Sequence, residues 1–470
     1  MAEYFKQLLQ PVNGPETPDG KQIQLVLAGH LSPVERVTLF RPIHYLGSKL
    51  RLLEPIRDAL NALDGKRGKA CDLFAGSGTV AFALSAERQV VAADIQEYSR
   101  VICSAILNGP AKIQHTAFVA NHALLECINP LIEHEEQCIQ QALLGDPMPI
   151  CDLLEFGCLV AKERNIAGSL PRGLDFPLIQ SLRALKKEQL DSRTSLITRH
   201  FGGIYFSYRQ AAILDSLLTW AHSQALESRD LLIAALLSTT SEVVNTVGKQ
   251  FAQPIRPRDK EGKPKLHLIK KIAEDRAKDI CEIYFKWLER YQANAKHREL
   301  DGHRVIRGDY IDVLRNLASD VTVVYADPPY TRDHYSRFYH VLETICLQDD
   351  PQISTVKTNG VSVPSRGIYR ADRHQSPFCI KSQAPKAFSK LFAEVRARSI
   401  PLVLSYSPFA ANSEARPRLL SIAQIEELAS QHFRTVKVVS IDIAHSKLNT
   451  TTLNVEKSTT EAEVLISCRP

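Results

Sequence analysis

The stretch Lys69-Ala-Cys-Asp72-Leu-Phe74-Ala-Gly76-Ser-Gly78-Thr-Val-Ala81-Phe-Ala-Leu-Ser-Ala86-Glu-Arg-Gln89-Val-Val-Ala-Ala93-Asp94 decides the fold. Lys69 to Phe74 reads as a short apolar strand entering a glycine-rich turn, and Thr79 to Ala86 continues as a helix. Gln89 to Ala93 is a second strand that ends on Asp94. Strand, helix and strand in this order predict an α/β unit with parallel strands. Glycines in the turn let the backbone approach a ligand, and the helix N-terminus offers unpaired N–H groups to it. Gly76-x-Gly78-x-x-Ala81 with an acid 18 residues past the first glycine fits a dinucleotide fingerprint in form. The turn alone fits a nicotinamide cofactor and S-adenosylmethionine equally, with a purely structural turn as the third reading.

Working outward, the first 35 or so residues are rich in Pro and Gly (Pro11, Gly14, Pro15, Pro18, Gly20) and read as an N-terminal arm, 1–35. The α/β alternation starts near Arg41 and stops near 110. Residues 111–299 read mostly as helix, with expected helices over Asn121 to Leu144, Phe176 to Leu190 and Ile272 to Tyr291. Strand character returns at Val321 to Tyr325 and Pro401 to Tyr406, and Thr435 to Ile443 with Ala462 to Cys468 reads as a closing antiparallel pair. One α/β core, 36–110 and 300–470, is thus interrupted by a helical insertion, 111–299, long enough to fold on its own and carry its own function.

The 470 residues are 44% hydrophobic and 23% charged, the composition of a globular chain with a sizeable core. The longest apolar run, Leu231 to Leu237, falls far short of the ~18 residues of a spanning helix, and no secretory signal pattern opens the chain. Ten cysteines without a Cys-x-x-Cys pair or a Cys/His set exclude a disulfide scaffold and a structural zinc site. A soluble, reduced, cytoplasmic protein with no membrane and no metal partner is expected. The net charge of +6 is mild, but Lys249 to Lys271 holds eight basic residues against Asp259 and Glu261. Such a cluster suits a phosphate backbone or, as readily, a solvated loop.

A second motif, Val321-Thr-Val-Val-Tyr-Ala-Asp327-Pro328-Pro329-Tyr330, carries the chemistry. Two successive prolines fix φ and remove two N–H donors, so the chain leaves the strand in one rigid extended form. The Pro328 carbonyl and the Asp327 carboxylate can then face one ligand, with the Tyr330 ring beside them. That set suits an exocyclic amino group on a planar base. An amino nitrogen conjugated with its ring is a poor nucleophile, and acceptors on its hydrogens offset the positive charge that develops as it attacks a methyl group.

Taken with Tyr45-Leu-Gly47-Ser-Lys49 upstream, these motifs occur in an order that resembles the Dam-like class of N6-adenine-specific DNA methyltransferases. The resemblance covers about a third of the chain. It implies a doubly wound, Rossmann-like methyltransferase sheet with a reversed C-terminal hairpin, and S-adenosyl-L-methionine as cofactor. It implies that Tyr45, Gly47, Lys49 and Asp72 belong to the cofactor pocket, with Phe74, Gly76 and Gly78 around the methionine end. Asp94 would hold the ribose hydroxyls, and Asp309 with Tyr310, in Arg307-Gly-Asp309-Tyr310, would meet the cofactor's adenine. Asp327, Pro328, Pro329 and Tyr330 would bind a flipped-out target adenine. Double-stranded DNA, and a cognate restriction or defence nuclease, are the implied partners.

The same resemblance puts target recognition in the insertion, where Asn245 to Arg258 is reminiscent of a Gly-x-Phe-Asn-x-Pro loop but departs from it at Ala252-Gln253. Asn245, Lys249, Gln253, Arg256 and Arg258 are the expected DNA contacts, with ordinary phosphate contacts or a surface loop as the other reading. The aromatic run His334 to His340 either lines the base pocket or packs the next helix, and Glu343 reads as structural. The rivals at this stage are the same fold acting on cytosine N4 or RNA adenine, a nicotinamide oxidoreductase, and a non-catalytic DNA-binding module.

Overall fold

The computed structural model describes residues 40–470 except 46, 48, 66–67, 297, 331–334, 359, 408–418 and 442–462. The N-terminal arm, Leu46 and Ser48 of the upstream motif, and His334 lie outside the described residues. The strands are β1 (Lys69–Asp72), β2 (Val90–Asp94), β3 (Arg304–Arg307), β4 (Val321–Ala326), β5 (Thr355–Thr358), β6 (Val361–Pro364), β7 (Leu402–Tyr406), β8 (Thr435–Ile441) and β9 (Glu463–Arg469). Seven form one sheet in the order β3-β2-β1-β4-β7-β9-β8, and β5 and β6 form a separate hairpin.

β1, β2, β3, β4 and β7 run parallel, whereas β9 is antiparallel to both β7 and β8. The expected closing pair is therefore present, with Val438 opposite Ile466 and Leu404 opposite the same residue on the other edge. Chain order reverses between β1 and β4, and in open parallel sheets ligands bind at the carboxyl ends of strands on either side of such a reversal.

Side-chain alternation explains why both faces of this sheet are covered. Val324, Leu402, Leu404 and Ile466 point to one face, where Phe388, Leu391 and Phe392 of the helix Ala384–Ala397 pack. Val323, Val403 and Leu465 point to the other, against Leu53, Ile56 and Leu60 of the helix Leu53–Leu63 and Val80 and Leu84 of the helix Thr79–Ser85.

Segment 111–299 contributes to two further cores. One, including Leu131, Leu153, Leu178 and Ile272, is built wholly from residues 124–272. The other is shared: the helix Leu226–Val243 packs on both Glu97–Asn108, which follows β2, and Ile280–Lys296. Leu226–Val243 contains the longest apolar run and is buried on nearly every side, as a helix without a polar face must be. Its Ser238, Thr239 and Thr240 hydroxyls donate back to the carbonyls of Ala234, Ala235 and Leu236. Among the described residues no helix is long and apolar enough to cross a membrane.

Two expected helices are each broken in two. Asn121 to Leu144 splits into His122–Cys127 and Asn129–Leu143, because Pro130 has no N–H to continue the first helix and fits the first turn of the second. Ile272 to Tyr291 splits into Ile269–Arg276 and Ile280–Lys296, and the Asp279 carboxylate accepts the Glu282 N–H (3.0 Å) at the new start.

Candidate active site

Leu73 and Phe74, which lead from β1 into the glycine turn, and the Asp-Pro-Pro-Tyr turn after β4 line the same cleft, of about 1030 Å³ including its mouth, with Gly76 and Gly78 set behind its wall. Its walls include Tyr45, Gly47, Lys49, Phe74 and Asp94 from the first half of the chain. Gly308, Asp309 and Tyr310 follow β3 and line it too, as do Asp327, Pro328, Pro329 and Tyr330. Residues 281 and more apart in sequence thus meet at the reversal point of the sheet.

Gly76 takes φ +53°, and a side chain there would set its Cβ 2.4 Å from the Tyr45 hydroxyl, so only glycine lets Tyr45 close over the turn. The Tyr45 ring in turn stacks on Tyr339 (5.0 Å between centroids, 17° between planes). Gly78, at φ +74°, precedes the first residue of Thr79–Ser85, where its N–H closes the turn onto the Ala75 carbonyl (2.8 Å). Asp94 links turn and strand, since Oδ2 accepts the Gly76 N–H (3.0 Å) and Oδ1 the Gln96 N–H (2.9 Å). Burial raises the Asp94 carboxyl above its usual range, partly offset by the N–H groups of Gln96 and Gly76.

Asp72 is buried beneath the turn rather than in the cleft wall. Its Oδ2 accepts the Ala81 N–H (3.0 Å), while its buried Oδ1 has no hydrogen-bond partner among the described residues. Burial first, then the nearby Asp327 and Asp94 carboxylates, push the Asp72 carboxyl up to about 8. The site gathers more carboxyl groups than its own cations offset, so Asp72 stays largely protonated at neutral pH.

Lys49, at 6% exposure, is the exception. Its Nζ lies 3.0 Å from Asp327 Oδ2 and 2.7 Å from Glu463 Oε1, and 3.4 Å from the Tyr330 hydroxyl. Burial alone would lower the ammonium, but Asp327, Tyr330 and Glu463 outweigh it and hold it well above the ordinary lysine value. Glu463 opens β9 beside β7, and the same Oε1 also accepts the hydroxyls of Tyr330 (3.2 Å) and Ser405 (3.0 Å). Burial would raise Glu463, yet Lys49 and the Ser405 and Tyr330 hydroxyls bring it below the usual carboxylate range. The Tyr330 ring leans on Tyr406 (4.8 Å, 55°). Asp327 is therefore held from behind by a buried Lys–Glu pair, with 20% of its side chain still exposed.

At the other end of the cleft Asp309 caps the helix Tyr310–Arg315 by accepting the Ile311 N–H (2.9 Å). Tyr310, Phe74 and Phe378 form an aromatic corner with centroids 5.2 to 5.7 Å apart. Phe378 belongs to His374–Cys379, a wall segment that sequence reasoning missed, as it missed Tyr98 and Glu463. An acidic residue at the head of an apolar closing strand was the one available signal for Glu463. The aromatic run divides between its two readings: Tyr335 lines the cleft, whereas Tyr339 and His340 are buried. Glu343 accepts the N–H groups of Glu97 (3.1 Å) and Tyr98 (3.0 Å) and so caps the helix after β2.

The expected DNA contacts are not all outward-facing. Asn245, 1% exposed, donates to Asp275 (3.3 Å) and accepts from Arg276 (3.5 Å). Lys249 donates to the Val244 carbonyl (2.9 Å) and to Asp275 (3.0 Å), and burial, outweighing Asp275, lowers its ammonium to about 8. Arg258 is clamped by Asp152 (2.5 Å) and Glu155. These three shape the loop from within, the Lys249 and Arg258 cations pairing with interior carboxylates and the Asn245 amide bridging Asp275 and Arg276. Gln253 and Arg256 are exposed.

The chain matches the family model described as D12 class N6 adenine-specific DNA methyltransferase over residues 45–130 and 279–362. Those two segments carry the glycine turn, Asp94, Asp309 and Asp327–Tyr330, and the gap between them spans most of the helical segment. The chain is 29% identical to the type II methyltransferase M.NlaIII of Neisseria lactamica over 128 residues, 27% of this chain and 31% of that protein. It is 26% identical to the type II methyltransferase M.FokI of Planomicrobium okeanokoites over 297 residues, 60% of this chain and 39% of that protein. It is 24% identical to the modification methylase LlaI of Lactococcus lactis subsp. lactis over 371 residues, 78% of this chain and 46% of that protein. The chain thus spans less than half the length of these relatives. With its mixed seven-stranded sheet and its motifs converging in one cleft, the chain is similar over those two segments to the D12 class of N6 adenine-specific DNA methyltransferases.

Proposed function

We propose that the protein transfers a methyl group from S-adenosylmethionine to N6 of an adenine flipped out of duplex DNA. The observation that carries this reading is the convergence of Asp327, Pro328 and Tyr330 with Asp94 and with Phe74, which leads into the glycine turn, in one cleft. The cofactor fits the donor set. Asp94 and Asp327 line the cleft with buried Asp72 and its orphaned oxygen behind them, an acidic wall that suits a ligand bearing an ammonium and a sulfonium. Tyr45, Gly47, Phe74, Gly76 and Gly78 would hold its methionine end, Asp94 its ribose hydroxyls, and Asp309 with Tyr310 its adenine. When bound it supplies an electrophilic methyl group.

The chain's own residues prepare the acceptor. The Asp327 carboxylate and the Pro328 carbonyl accept the two N–H bonds of the target amino group, which frees electron density on nitrogen and stabilises the charge it gains. The rigid Pro328-Pro329 turn fixes those acceptors before the base arrives, so no reorganisation opposes the reaction. Lys49 and Glu463 hold the Asp327 carboxylate in place, and Tyr330 offers a ring face for stacking. Gln253 is the outward-facing candidate for reading base edges around the target. The names of the relatives support a modification role beside a cognate nuclease, and the ten free thiols support a cytoplasmic, reducing setting.

Expression in a methylation-free host, followed by single-molecule sequencing, tests the reading. N6-methyladenine at a defined site is expected, and its absence, or N4-methylcytosine instead, refutes it. In the Asp327→Ala variant Lys49 keeps Glu463, so cofactor affinity should stay within a few fold while turnover disappears. More than about a tenth of wild-type turnover, a loss under ~1.4 kcal/mol, would contradict the role of Asp327.

A further inference from the structure

A group of arginines lies just outside the cleft, and of its members only Arg256 is among the DNA contacts expected from the sequence. Tyr369 is at its centre. Arg337 and Arg373 lie over its ring, at 5.6 and 5.3 Å from the centroid. Its hydroxyl donates to the Ala252 carbonyl, which ties the segment after the β5–β6 hairpin to the loop that carries Arg256. Arg366 donates to the carbonyls of Pro254 (3.5 Å) and Ile255 (3.0 Å), the two residues before Arg256. Arg256, Arg337 and Arg366 are exposed and Arg373 is partly so.

Neighbouring acids are committed elsewhere. Glu155 is held by Arg258, Asp349 by Arg370 (2.5 Å), and Asp350 by Arg164 (2.7 Å) and His200 (2.8 Å). Among the described residues none of the four arginines has a carboxylate within ion-pair distance, although exposed Asp372 adjoins Arg373 in sequence. Four like charges gathered around Tyr369, two of them over its ring, repel one another, and an anion relieves that repulsion. Guanidinium groups with fixed planes suit the paired oxygens of a phosphodiester.

Position makes the anion specific. Ser336 and His374 line the cleft, and each is the immediate neighbour of one of the ring-stacked arginines. We propose that Arg256, Arg337, Arg366 and Arg373 around Tyr369 form a clamp on the backbone phosphates of the DNA strand whose base enters the cleft. This rests on the function proposed above and adds to it how the flipped strand is held. Contacts to phosphate position a strand without reading its sequence, so the clamp acts alike on all duplexes.

The test uses the full chain and a mixed-sequence duplex, with affinity measured by fluorescence anisotropy over a series of salt concentrations. Arg337→Gln/Arg373→Gln and Arg256→Gln/Arg366→Gln should each weaken binding by about ten-fold or more. Each should also flatten the dependence of log affinity on log salt by up to about 0.9 for every phosphate no longer neutralised. Arg337→Lys/Arg373→Lys should keep the salt slope and lose affinity, since the charge remains and the planar fork does not. Cofactor affinity by calorimetry and melting temperature should match the wild type in all three. Wild-type salt slope and affinity in both glutamine variants, in a protein that binds and methylates duplex DNA, would overturn the clamp and leave the proposed function standing. If the wild-type chain neither binds duplex nor methylates it, both readings fall.

Discussion

Replacing Glu463 with glutamine removes one charge from behind Asp327 and leaves side-chain volume almost unchanged. Three donors, from Lys49, Tyr330 and Ser405, converge on its Oε1 at 2.7 to 3.2 Å. In the wild type the Lys49 ammonium is shared between two carboxylates, and the Asp327–Lys49–Glu463 group carries one net negative charge to meet the charge developing on the acceptor nitrogen. In Glu463→Gln the group is neutral, and Lys49 turns its full charge on Asp327, 3.0 Å away. Asp327 then becomes a weaker acceptor for the target amino group. A hydrogen bond to a charged group contributes about 1.5–3 kcal/mol, so kcat should fall by roughly ten- to a hundred-fold. Cofactor affinity should change little, because Glu463 does not line the cleft. The pH profile separates positioning from a merely structural role. Glu463 is held below its usual value, so its contribution is present above the unfolded-state pKa and is lost as pH falls through the lower folded value. The acid limb of wild-type stability that comes from Glu463 should therefore be missing in Glu463→Gln. Single-turnover methyl transfer with a labelled donor, melting temperatures across the acid range and cofactor calorimetry give the three readouts. A folded Glu463→Gln protein with kcat within about two-fold of wild type would refute the reasoning, since that ratio is worth well under ~1.4 kcal/mol.

Asp94→Ala should weaken cofactor binding by roughly ten- to a hundred-fold, the loss of a charge-assisted acceptor, and unchanged affinity by calorimetry would count against this placement of the ribose. Asp72 has its folded pKa raised to about 8 from 3.8, so its contribution to stability is complete below the lower value and is lost as pH rises through the higher. The ligand-free protein should therefore lose melting temperature across that interval, whereas Asp72→Asn, which still accepts the Ala81 N–H, should lose less. Parallel curves for the two proteins would show that Asp72 is not the buried, uncompensated acid described above.

What the sequence determined on its own was local. The strand–turn–helix of Lys69 to Ser85, the acid at the end of β2 and the Asp327–Tyr330 turn follow from apolar runs, glycine's access to positive φ and proline's fixed φ, all of which act within a few residues. The helix breaks at Pro130 and Asp279 belong to the same local code, although the apolar periodicity runs on across both. Which side chains meet was decided elsewhere. Asn245, Lys249 and Arg258 carry the residue types of DNA contacts, yet Asp275, Asp152 and Glu155, brought alongside by helix packing, engage them. Glu463 reaches Lys49 only because β9 pairs antiparallel with β7, which sets the end of the chain against its beginning at the reversal between β1 and β4. Charge and hydrogen-bonding capacity belong to a residue wherever it sits, whereas the partner that fixes its protonation and its freedom is supplied by strand order, which no local pattern encodes.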